Sequence, residues 1–181
     1  MSETQTRSAM EQAEATIAAL NQSKDKYVVY KESRPITDLK QMLETSTAMY
    51  ADNTAFMQRF EKNQPYESIT YRQAMEDING LGTALMMHGL SGKRIAVIGE
   101  NCYQWATSYL AAVCGTGIVV PLDKELGAAE LKQLVIEAEV SAVLFTKKFE
   151  DTFYMMKESG DTPLEMLVNL NAETEEGGIF A

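Results

Sequence analysis

A chain of 181 residues is long enough for one domain with a full hydrophobic core. Apolar residues make up 45% and charged residues 23%, which is a globular composition. The net charge of −10, with no lysine and arginine cluster, argues against nucleic acid as a partner and for small molecules or other proteins.

The first segment, MSETQTRSAMEQAEATIAAL, lacks the basic-then-apolar order of a secretory signal. Residues 1–30 are expected to form a helical arm, with YVVY as a short strand near its end. Residues 31–181 are expected to form an α/β unit. ITDLKQMLETSTAMY places Ile36, Leu39, Leu43 and Tyr50 at near-helical spacing behind Pro35. AFMQRF and YESIT flank the turn-like EKNQP and read as an antiparallel hairpin. In TYRQAMEDINGLGTALMMHGL, Thr70 and Gln73 fit a capping box, and Ala74, Ile78, Leu81 and Leu85 mark one helix face. Gly80 and Gly82 weaken this helix and call for a close neighbour. Gly89 reads as a left-handed terminator, and His88 beside it covers the last carbonyls. One histidine excludes multi-histidine metal sites and leaves a hydrolase triad only His88 to use.

From Arg94 onward four short apolar runs, RIAVIG, IVVPL, SAVLFT and LEMLVNL, alternate with three helices. Strands without polar alternation are covered on both faces, so the expected fold is α/β: a doubly wound, mostly parallel sheet with helices on both faces, preceded by N-terminal helices and the hairpin. The first of the three helices takes Asn101 as its cap and places Trp105, Tyr109 and Ala112 on one face. Cys102 and Cys114 both fall in it, about three turns apart, too far for a bridge. They read as packing residues. With neither a disulfide framework nor an export signal, the expected location is the cytoplasm. No apolar run reaches the ~20 residues of a membrane span.

CGTGIVVPLD looks glycine-rich enough to cradle phosphate, but its order is helix, then strand. A phosphate loop needs strand, loop, helix, so that helix-start amides face the ligand. Gly115 therefore reads as a helix cap, Gly117 as a tight way into the strand, and Pro121 as a strand end. IGENC has the correct order, yet it has one glycine, no lysine, and Glu100 where a phosphate would lie. Asp123 also ends a strand, where α/β sheets place ligand groups, though a turn cap is its simpler role.

The run from ITYRQAMEDINGL to VVPLDKEL resembles the N-terminal part of AMP-forming acyl-CoA synthetases, the adenylate-forming enzymes. Thr70-Tyr71 before a helix, RIAVIGEN with Asn101 and Trp105, YLAAVCGTG, and Pro121-Leu122-Asp123 carry the likeness over roughly residues 35–170. The branch it most resembles is the long-chain-fatty-acid–CoA ligases. The family's phosphate loop, its Tyr-x-x-Thr-Glu segment, its ribose-binding aspartate and its lysine-bearing C-terminal domain have no counterpart in the 181 residues. The resemblance thus implies a partial subdomain, truncated before the phosphate loop and inactive alone. No catalytic, cofactor-binding or metal-binding residue is expected here. ATP, Mg and CoA are implied for the full-length enzyme, as are a fatty acid substrate and the remainder of the enzyme as partner. Exposed apolar surface facing that remainder would allow self-association. Two alternatives stand beside this reading. One is a stand-alone flavodoxin-like binding or signalling module, with Asp123 as a phosphate acceptor. The other is an interaction module that binds through residues 1–30.

Overall fold

The computed structural model describes residues 34–60 and 63–171. The expected arm and the YVVY strand lie outside them. The chain divides after Pro35, and the architecture below is that of Ile36–Ala181.

Helix α1 runs Leu39–Tyr50. Its cap is Asp38, whose Oδ1 accepts from the Gln41 amide at 2.8 Å. That bond and the neighbouring Thr37 hydroxyl hold the Asp38 carboxyl below its ordinary pKa. Strands β1 (Thr54–Gln58) and β2 (Glu67–Thr70) pair antiparallel as the expected hairpin, with an irregularity between Thr54 and Phe56. Helix α2 (Tyr71–Met87) begins with the expected box: Thr70 Oγ1 accepts from the Gln73 amide, and Gln73 Oε1 accepts from the Thr70 amide. Ala74, Ile78, Leu81 and Leu85 are its buried face. It ends at Gly89, whose φ of 79° is the left-handed conformation that glycine adopts freely. His88 is the C-cap through its backbone, its amide donating to the Ala84 carbonyl while the Gly89 amide donates to that of Met86.

Then follow β3 (Arg94–Ile98), α3 (Tyr103–Ala111), β4 (Ile118–Pro121), α4 (Ala128–Glu137), β5 (Val140–Phe145), α5 (Glu150–Glu158) and β6 (Met166–Asn169). All four strands are parallel, in the order β4-β3-β5-β6. One face carries Ile78, Leu81 and Leu85 of α2 and Ala111 of α3 against Ile95, Ala142 and Leu144. The other carries Leu131 and Val135 of α4 and Phe153 and Met156 of α5 against Ala96, Val143 and Phe145. Both faces are covered, so the sheet is doubly wound, and continuous burial explains why the strands show no polar alternation. Each large apolar side chain so buried contributes about 2 kcal/mol by transfer from water.

Two readings are corrected. Cys102, not Asn101, caps α3: its Sγ accepts from the Trp105 amide at 3.4 Å. The two cysteines do not share a regular helix either, because Cys114 lies in a π-type turn, Ala112–Thr116, that follows α3. The turn breaks at Gly115, whose φ is 145°. Gly117 is required by proximity, since a Cβ there would stand 2.3 Å from the Lys93 carbonyl oxygen. Pro121 ends the edge strand β4, where its missing amide hydrogen breaks no ladder. Gly82 has the expected close neighbour, with Thr116 Oγ1 3.1 Å from a Cβ position. Gly80 has none within 4 Å.

Candidate functional site

A parallel sheet offers its ligand crevice at the carboxyl ends of strands whose connections leave toward opposite faces. Here α3 follows β3 onto one face and α5 follows β5 onto the other, so the crevice lies between the ends of β3 and β5. Its floor is Gly99, Glu100 and Thr146. The Thr146 hydroxyl, almost fully buried, donates to Glu100 Oε2 at 2.6 Å and bridges the two strand ends. Gly99, with a φ of 151°, packs so close that a Cβ would meet Thr146 Cγ2 at 2.3 Å. The Thr146 bond holds the Glu100 carboxyl below its ordinary pKa, with smaller help from the charges of Lys148 and Lys124. The group is therefore anionic at neutral pH.

The helix that opens from this loop has already used its first amides. The Tyr103 amide donates to Gln58 Oε1 on the hairpin. The Trp105 amide donates to Cys102 Sγ. Gln58 Nε2 donates to Gln104 Oε1 at 3.0 Å, tying the same turn to β1. A phosphate loop leaves such amides open to the ligand. This loop commits two of them to Gln58 and Cys102 and carries the Glu100 carboxylate beside them.

A second concavity, an open cleft of about 680 Å³, separates the hairpin from α2 and α3. Phe60, Glu67, Glu76, Asp77 and Tyr103 line it, with no lysine or arginine among the described lining residues. Tyr103 is its fixed point. The ring meets Phe56 edge-on at 5.3 Å, and the hydroxyl donates to Asp77 Oδ2 at 2.5 Å. Burial and that acidic partner push the phenol well above its ordinary pKa, so it stays a donor. The Asp77–Tyr103 pair is 26 residues apart in sequence and gives no local signal.

Asp123 holds a turn, as its simpler role required: Oδ1 accepts from the Glu125 amide at 2.9 Å and its carbonyl accepts from the Leu126 amide. Cys102 and Cys114 are both partly buried, and burial raises both thiols, so neither is primed as a nucleophile. Trp105 and Tyr109 stack at 5.6 Å on one helix face, as their spacing implies. Among the described residues no group of three His, Cys, Asp or Glu side chains is placed to hold a metal ion. Among them too, no helix is long and apolar enough to cross a membrane.

Comparison with known proteins places this geometry. A family model described as "AMP-binding enzyme" matches residues 43–177. Long chain acyl-CoA synthetase 1 of Arabidopsis thaliana is 36% identical over 84 residues, which is 46% of this chain and 13% of that protein. Long-chain-fatty-acid–CoA ligase 5 of Rattus norvegicus is 29% identical over 97 residues, 52% of this chain and 14% of its own length. The chain thus spans about one seventh of the length of these relatives. A solved long-chain-fatty-acid-CoA ligase from Archaeoglobus fulgidus shares the fold, with a TM-score of 0.69 at 16% identity, covering 82% of this chain and 30% of that one.

Proposed function

The chain belongs to the AMP-binding enzyme family, and from that premise we propose that it is the N-terminal scaffold segment of an AMP-forming acyl-CoA synthetase. The reaction assigned to the whole enzyme joins a fatty acid to coenzyme A while ATP becomes AMP and pyrophosphate. The observation that carries this reading is the family match over residues 43–177, within which Thr70-Tyr71, Asn101, Trp105 and Pro121-Leu122-Asp123 keep the family's order.

In the first step a carboxylate meets a polyphosphate, two anions that need preorganised positive potential around them. The described residues do not build that potential inside the crevice. Glu100 keeps it negative, and the first amides of α3 are bound to Gln58 and Cys102. What this segment contributes is shape: a doubly covered sheet, with its carboxyl end presented to the rest of the enzyme. Exposed Met57, Phe60 and Tyr66 flank that end and are the surface we assign to the remainder, or to a second copy in its absence. The flavodoxin-like signalling alternative has lost its anchor, because Asp123 is engaged in its own turn.

The test is a pair of assays. The purified chain with ATP, fatty acid and coenzyme A should release no pyrophosphate. A chimera in which residues 43–177 replace the matching segment of the Arabidopsis relative should form acyl-CoA. Turnover by the chain alone, or a folded chimera without activity, refutes the reading.

A further inference from the structure

We draw no further inference here: the strongest candidate, the open cleft between the β1–β2 hairpin and helices α2 and α3, carries nothing, because its described lining offers the exposed carboxylates of Glu67, Glu76 and Asp77 beside buried Ile69 and Leu81, and nothing in the structure shows what covers it.

Discussion

The two ends of the parallel sheet are built to different rules. At the amino end the groups are satisfied within the chain: Lys93 and Arg94 have glutamate partners, and the Lys93 carbonyl accepts from the Ile118 amide at 2.9 Å. The carboxyl end holds a closed acidic floor, Glu100 on Thr146, and a loop whose first helix amide is tied back to the hairpin. The contrast matches what α/β sheets require generally, with folding secured at one end and ligands met at the other. At the start of α3 the Tyr103 and Trp105 amides are taken by Gln58 and Cys102.

The comparison can be broken at its amino end first. Gly117→Ala forces a Cβ into the Lys93 carbonyl, which is backbone and cannot swing away. The expected cost is about 3 kcal/mol or more, read as a fall in the denaturant midpoint. A loss under about 1 kcal/mol would mean that the strand β4 junction is looser than described. Next in size is Tyr103→Phe, which removes the bond to Asp77 and leaves the edge contact with Phe56. Asp77 is exposed and can turn to water, so about 1 kcal/mol is expected in thermal unfolding. Glu139→Gln should be smaller still, below about 0.5 kcal/mol, because the Arg94 pair is exposed and screened. A large effect there would contradict the view that this pair only satisfies charge.

The last prediction concerns pH at the carboxyl end. Glu100 has a lowered pKa in the folded chain, so its contribution to stability is fully present above the ordinary glutamate value and is lost as pH falls through the folded one. Comparing the chain with Glu100→Gln between about pH 6 and 3 should show a small extra acid destabilisation that only the parent suffers. Parallel acid titrations of the two would contradict the Thr146 bridge.

Much of this was written locally in the sequence. RIAVIG and SAVLFT lack polar alternation because both sheet faces are covered. Thr70 and Gln73 stand three residues apart, the distance at which the two ends of a capping box meet, and Gly89 sits where the helix turns back. Other features had no local signal. Cys102 caps α3 although asparagine is the better cap by propensity, because tertiary packing sets where the helix starts. The Tyr103–Asp77 and Gln58–Tyr103 bonds join distant segments. Lys124 and Lys148 are two ordinary lysines until strand order sets Glu100 between them. Periodicity reports burial within an element; it is silent on which loops become neighbours.

The most direct measurement follows backbone amide resonances while ATP is added to the isolated chain. If this segment supplies shape and the positive potential comes from elsewhere in the enzyme, the resonances of Gly99–Asn101 and Thr146 stay unmoved. Saturable shifts at those residues would contradict the account.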